Sequence, residues 1–203
     1  GSFMNRIQAH KNEEQSERVA LAVDLGASGG KCFVGRFAPG VFRMEEVHRF
    51  EHEGVTFFAA DRRGRDIERR TYWNDTGIYH EILRGLRAAR RGCPEGIDTL
   101  GIDTWGADAQ WIDIHGESLG KLYCYRDHRL DNMSSELLER LPAERLYRLT
   151  GIHFQPFNLT NQLLWFATRR PKLLKLADKL LPVPSLLNYY LGGCTQVDST
   201  WAS

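Results

Sequence analysis

Val19-Ala20-Leu21-Ala22-Val23 is an unbroken apolar run that stops at Asp24-Leu25-Gly26, the pattern of a buried strand running into a tight turn. Ala27-Ser28-Gly29-Gly30 supplies the turn, Lys31 to Phe37 reads as a second strand, and Pro39-Gly40 as a second turn. Val41 to Phe50 alternates through Met44-Glu45-Glu46-Val47-His48-Arg49-Phe50 as a third strand. Three strands joined by short turns predict an antiparallel meander. The stretch Glu51 to Arg70 is charged and weakly patterned and reads as a surface loop.

Asn74 or Asp75 caps a predicted helix to about Arg91, with Ile78, Ile82, Leu83, Leu86 and Ala89 at helical spacing. Gly92-Cys93-Pro94 ends it. Thr99 to Asp103 predicts a fourth strand and Ala107 to Ile114 a fifth; His115-Gly116-Glu117 is a turn and Lys121 to Tyr125 a short strand. From Asn132 the pattern turns helical, over Glu136–Leu141, Ala143–Leu149, Asn161–Thr168 and Pro171–Ala177. Leu180 to Pro184 reads as a buried strand or connector, and Ser185 as the cap of a helix ending at Gly192-Gly193. The order predicts a mixed α/β domain with a largely helical insert or second layer.

Composition narrows the function classes. The chain has 203 residues, 42% hydrophobic and 26% charged, with a net charge of +1. That balance gives no reason to expect a nucleic-acid or membrane partner. No apolar run is long enough to cross a bilayer. Cys32, Cys93, Cys124 and Cys194 form no Cys-x-x-Cys pair, so reduced thiols of a cytoplasmic protein are expected rather than a zinc site. Gly1-Ser2-Phe3 before Met4 looks like an expression scar, and residues 1–17 read as a tail.

Three segments carry candidate chemistry. Asp24-Leu25-Gly26-Ala27-Ser28-Gly29-Gly30-Lys31 joins glycines, a hydroxyl and a cation at a strand end, the materials of a phosphate grip, with Asp24 placed to face a magnesium ion through its water shell. Lys31 is followed by a strand, not a helix, which excludes both the P-loop and the dinucleotide fingerprint. A plain Gly-rich hairpin is the alternative. In Gly101-Ile102-Asp103-Thr104-Trp105-Gly106-Ala107-Asp108, Trp105 and Gly106 suit a sugar face and Asp108 its hydroxyls; otherwise Trp105 is a core aromatic and Asp108 a turn residue. In Tyr125-Arg126-Asp127-His128-Arg129, Asp127 and Arg129 either hold sugar hydroxyls or form a structural ion pair.

Together, in this order, these segments resemble the FGGY family of carbohydrate kinases, and within it the branch acting on L-rhamnulose. Glu46 to Phe50, Thr150-Gly151-Ile152-His153-Phe154-Gln155-Pro156-Phe157-Asn158 and Leu181 to Pro184 extend the match from about Arg18 to Ser203. The resemblance implies an actin-like ATPase (ribonuclease H-like) fold, a mixed sheet with helices forming the first lobe of a two-lobe kinase over 18–203. It implies phosphoryl transfer from ATP, with Mg²⁺, to O1 of L-rhamnulose. Ala27, Ser28, Gly29, Gly30 and Lys31 would then contact ATP, Asp24 would sit near the metal, and Trp105, Gly106 and Asp108 would line the sugar site. The family's base is an Asp in a later Gly/His-Asp-[Thr/Ala] setting, so it is expected beyond Ser203, and these residues alone are expected to be inactive. An FGGY kinase for L-fuculose or a pentulose, or a non-catalytic actin-like binding module, are the other readings. Three departures stand out: Lys31 where Arg is more usual, Asn74 after Trp73 where Asp is usual, and a basic insert, Asp61-Arg62-Arg63-Gly64-Arg65.

Overall fold

In a computed structural model, the structure describes residues 17–60, 67–193 and 195–201. The tail up to residue 16, the insert Asp61 to Arg65, and Cys194 lie outside the described residues. The chain divides into two compact units, one made of the residues up to His52 with 77–104, the other of 53–76 with 105 onward.

In the first unit, β1 (Arg18–Leu25), β2 (Gly29–Ala38) and β3 (Val41–Glu51) form the predicted antiparallel meander. A fourth strand, called β6 below (Thr99–Asp103), adds parallel to β1, giving the order β3-β2-β1-β6. Val19, Leu21, Val23 and Leu25 alternate into the core with Cys32, Val34 and Phe50. Helix α1 (Asp75–Gly92) buries Ile78, Ile82 and Ala89. A Cβ on its Gly85 would stand 2.4 Å from Cys32 Sγ, so helix and sheet meet at a point where only glycine fits. Burial pushes the Cys32 thiol up to about 11. Arg36 ties the helix end to the sheet by donating to Glu95 Oε1 and the Gly92 carbonyl. It also donates to Glu17 at 2.8 Å. The β2–β3 register slips once: Cys32 pairs with His48 but Phe33 with Glu46, leaving Val47 as a bulge.

The second unit departs from the sequence expectation at its first segment. The predicted loop Glu51–Arg70 contains β4 (Gly54–Ala60) paired antiparallel to β5 (Ile67–Trp73). Val55, Thr56, Phe57 and Phe58 are strand-forming residues, and they face Tyr72, Thr71, Arg70 and Arg69. The charges that masked the pattern are cross-strand partners: Arg69 lies 5.7 Å over the Phe58 ring. Strand β7 (Ala109–Ile112), shorter than predicted, pairs with β8 (Lys179–Pro182). Lys121 to Tyr125 is not a strand; it makes one bridge, Tyr123 to Tyr72. Helices follow at α2 (Met133–Arg140), α3 (Ala143–Thr150), α4 (Leu159–Arg169), α5 (Pro171–Leu174) and α6 (Val183–Gly192). Ser185 is no cap: α6 starts at Val183 with a proline in its first turn, and Ser185 is buried inside it. Leu130, Met133, Trp165 and Phe166 form a core cluster, with Trp111 and Tyr123 against it. Among the described residues no helix is long and apolar enough to cross a membrane.

Candidate functional site

The bend after β1 is open. The Gly26 amide donates to the Gly29 carbonyl at 2.9 Å, which puts Ala27 and Ser28 at the tip. His52 fixes the loop from β3's end: its Nε2 lies 2.6 Å from the Gly26 carbonyl, and its amide donates to the Ser28 carbonyl at 3.1 Å. Burial lowers the His52 pKa, and the Gly26 carbonyl raises it part of the way back. The neutral ring therefore serves as an Nε2–H donor to that carbonyl.

Two of the glycines here, Gly29 and Gly30, are required by packing. None of Gly26, Gly29 and Gly30 has a positive φ. A Cβ on Gly29 would meet the Phe50 carbonyl at 2.9 Å, and one on Gly30 would meet Phe50 Cζ at 2.4 Å and Leu25 Cδ2 at 2.7 Å. Their absence of side chains lets Phe50 close the core beneath the bend.

The opposite face of the sheet is charged. Arg49 pairs with Lys31, Lys31 with Asp24, and Asp24 with Asp103. Directly paired residues project from the same face, so two cations and two carboxylates form one row across four strands. A groove of about 380 Å³ runs along it, lined by Asp24, Gly26, Ser28, Gly29, Lys31 and Arg49, with Glu51 also on its wall. Asp24 is exposed. No group of three His, Cys, Asp or Glu side chains that could hold a metal ion lies among the described residues. Magnesium that keeps its waters and phosphate ligands needs only one or two carboxylates, which Asp24 satisfies.

In the second unit the sequence-predicted sugar residues are sorted by burial. Trp105 is half-buried and Gly106 exposed, with nothing within 4 Å of a Cβ there. Asp108 is 0% exposed and has a positive φ of 74°. Its Oδ2 accepts from Trp73 Nε1 at 2.7 Å, the Tyr125 amide at 3.0 Å and Trp105 Nε1 at 3.2 Å; its Oδ1 accepts from Gln162 Nε2 at 3.0 Å. The carboxylate that the sequence offers to sugar hydroxyls is occupied by protein donors. It holds the Trp73 and Trp105 rings 4.5 Å apart. Burial pushes its pKa up, and the four N–H donors pull it partly back.

Asp127 and Arg129 are also enclosed, their side chains 1% and 0% exposed. Asp127 caps the 3-10 turn His128–Leu130 through the Arg129 amide and accepts from the Thr71 amide at 2.5 Å. The Arg129 guanidinium stacks 4.0 Å over Tyr123 and 5.0 Å over Trp165. Burial lowers its pKa and Asp127 raises it. Of the two roles the sequence allows this pair, direct contact with a sugar is closed in this arrangement, because neither side chain reaches the surface. The structural pair stands, though loosely, at 3.8 Å. Gln162 connects the two groups: its Oε1 accepts from Arg129 Nη2 at 3.3 Å while its Nε2 donates to Asp108.

Sequence reasoning missed Trp73, Gln162, His52 and Arg49. Gln162 has a readable signal: it precedes Trp165 and Phe166 by three and four positions, so a polar side chain shares the helix's apolar face. Arg49 becomes visible only once the β2–β3 register is known.

Residues 58–203 match the FGGY family of carbohydrate kinases, N-terminal domain. That stretch contains Trp105 to Arg129; the bend at Asp24 to Lys31 precedes it. The chain is 37% identical over 177 residues to a rhamnulokinase of Oceanobacillus iheyensis, covering 87% of this chain and 35% of the relative. It is 35% identical over 195 residues to one of Enterococcus faecalis, covering 95% and 36%. The chain thus spans about a third of the length of these curated relatives. Among solved structures, xylulose kinase from Rhodospirillum rubrum superposes with a TM-score of 0.68 at 15% identity, covering 91% of this chain and 37% of that one. Gluconate kinase from Lactobacillus acidophilus gives 0.67 at 13%, covering 86% and 33%. These likenesses establish the actin-like first-lobe fold, and the family match carries the assignment: this chain belongs to the FGGY family of carbohydrate kinases.

Proposed function

We propose that this chain is the nucleotide-phosphate and sugar-side part of a cytoplasmic kinase that transfers a phosphoryl group from ATP, with Mg²⁺, to O1 of L-rhamnulose. The observation that carries the reading is the exposed bend with its row of Lys31 and Asp24 beside a groove. The names of the relatives support the sugar. In this reading Ser28, Lys31 and the backbone from Ala27 to Gly30 hold phosphate oxygens, and Asp24 orients the metal's water shell. Positioning and charge stabilisation are most of what phosphoryl transfer requires, and Mg²⁺ supplies part of the neutralising charge. Trp105 and Gly106 form the sugar wall. Asp108 stays behind that wall as its support, and Asp127 and Arg129 brace the support through Gln162.

The chain contains no His-Asp or Gly-Asp pair, so the base that removes the O1 proton belongs to another segment of the whole protein. The 203 residues alone are expected to give no ketose-dependent turnover.

The test is a coupled ATP assay of the full-length protein on L-rhamnulose, L-fuculose and the pentuloses, run beside Gly106→Ala. L-Rhamnulose is expected to have the highest kcat/KM. Gly106→Ala is expected to raise KM about ten-fold, the scale of one blocked contact with the ring, at unchanged melting temperature, since nothing lies near the added methyl. Preference for another ketose would replace the sugar assignment, and no turnover with any ketose would favour a non-catalytic module.

A further inference from the structure

The strand pairing places one more cation beside the bend than the phosphate motif contains. Arg49 lies directly across from Lys31 and lines the same groove. Its side chain is 62% exposed and is held by Glu46 through two bonds, Nε to Oε1 at 2.7 Å and Nη2 to Oε2 at 2.9 Å. Residues three apart on a regular strand face opposite ways. The bulge at Val47 turns Glu46 and Arg49 to the same face and makes this pair possible. Arg49 lowers the Glu46 carboxyl below its usual range, with a smaller contribution from Lys31, so the three groups act as one cluster.

We propose that Arg49 is a further phosphate-binding residue of the nucleotide groove, with Glu46 as the counter-ion that parks its guanidinium until a polyphosphate displaces it. This rests on the reading of the bend as a phosphate seat. The chemistry favours the exchange. Glu46 and a phosphate both take the guanidinium through two N–H bonds, but a polyphosphate brings several negative charges where Glu46 brings one, and so it competes for Arg49. Lys31 is a point charge without that fork. Arg49 restores a planar donor pair on the next strand. The row then runs cation, cation, carboxylate along the groove, so that Arg49 and Lys31 would hold the phosphate oxygens and Asp24 would serve the metal's water shell.

Calorimetric titration of the chain with inorganic tripolyphosphate tests this, using the wild type, Lys31→Ala, Arg49→Ala, Arg49→Lys and Glu46→Gln. Arg49→Ala is expected to weaken binding about five- to ten-fold, the scale of one exposed charge-assisted contact, with Arg49→Lys in between. Glu46→Gln is expected to tighten it about two- to five-fold by freeing the guanidinium. Opposite signs are the signature: if the pair served only to hold β3, both changes would act in the same direction, and the proposal would fail. Binding lost in Lys31→Ala but unchanged in Arg49→Ala would overturn the role of Arg49 and leave the phosphate seat standing. Failure of the wild type to bind tripolyphosphate would remove both.

Discussion

Asp108→Asn swaps one buried carboxylate oxygen for an amide that cannot accept. The backbone is not the issue, since Asn tolerates the positive φ at this position as well as Asp does. The amide oxygen can take the place of Oδ2 and keep the bonds from Trp73, Trp105 and Tyr125. The new NH2 group then faces Gln162 Nε2, donor against donor. Turning Gln162 over does not help, because its NH2 would then meet the Arg129 guanidinium that its Oε1 now accepts from. One buried donor stays unsatisfied, at about 1–3 kcal/mol, and the three remaining bonds lose their charge assistance, at up to about 1 kcal/mol each. Relief of the buried charge offsets part of this, leaving a net loss of roughly 2–4 kcal/mol. For a chain of this size that is a fall in melting temperature on the order of 10 °C.

The sign with pH follows from the raised pKa. The native state binds the Asp108 proton more readily than the unfolded state, so this group's contribution to stability grows as pH falls from the folded pKa toward the ordinary 3.8. Asn has no such dependence, so the stability gap between wild type and Asp108→Asn should widen over that range. Thermal melts read by near-ultraviolet circular dichroism report both quantities, because the packed Trp73–Trp105 pair contributes to the aromatic signal. An Asp108→Asn protein with unchanged melting temperature and an unchanged tryptophan band would refute the hub.

Two further outcomes follow from the bend. Gly30→Ala would drive a methyl into Phe50 and Leu25 and is expected to cost about 1–3 kcal/mol, with Gly30→Ala/Phe50→Leu recovering most of it in urea titration; equal loss in both would point away from the Phe50 clash. His52 has a lowered pKa, so its contribution is intact above its unfolded value of 6.5 and is lost as pH falls from there through the folded pKa. Wild type is expected to lose stability over that window and His52→Gln to show a shallower slope; parallel pH curves would exclude the ring as the source.

How much was legible depended on whether a pattern was local. The β1–β3 meander, α1 and β6 were readable because apolar alternation, a capped helical stripe and Gly/Pro punctuation agreed at each point. The β4–β5 hairpin was hidden because Arg69 and Arg70 on β5 carry charge where a solitary strand would show apolar residues; pairing with Phe57 and Phe58 makes them at home there. The Trp105 and Gly106 wall was proposed from residue type alone. The inward position of Asp108, Asp127 and Arg129 was not, because polar residues carry no sign in sequence of whether their partners are solvent or buried donors. Trp73 and Gln162, which supply those donors, stand 35 and 54 residues from Asp108.

The bulge at Val47 has a bearing on chain length. His48 already opposes Cys32 and Glu46 already opposes Phe33, so loss of Val47 would leave regular pairing on both sides. Loss of His48 or Arg49 would be absorbed in the same way, with Val47, or Val47 and His48, moving into the vacated ladder positions, so that Glu46 stays opposite Phe33 and Phe50 opposite Gly30. A one-residue shortening should therefore be tolerated anywhere from Val47 to Arg49 and disfavoured elsewhere in β3, where it would turn neighbouring side chains to the wrong face.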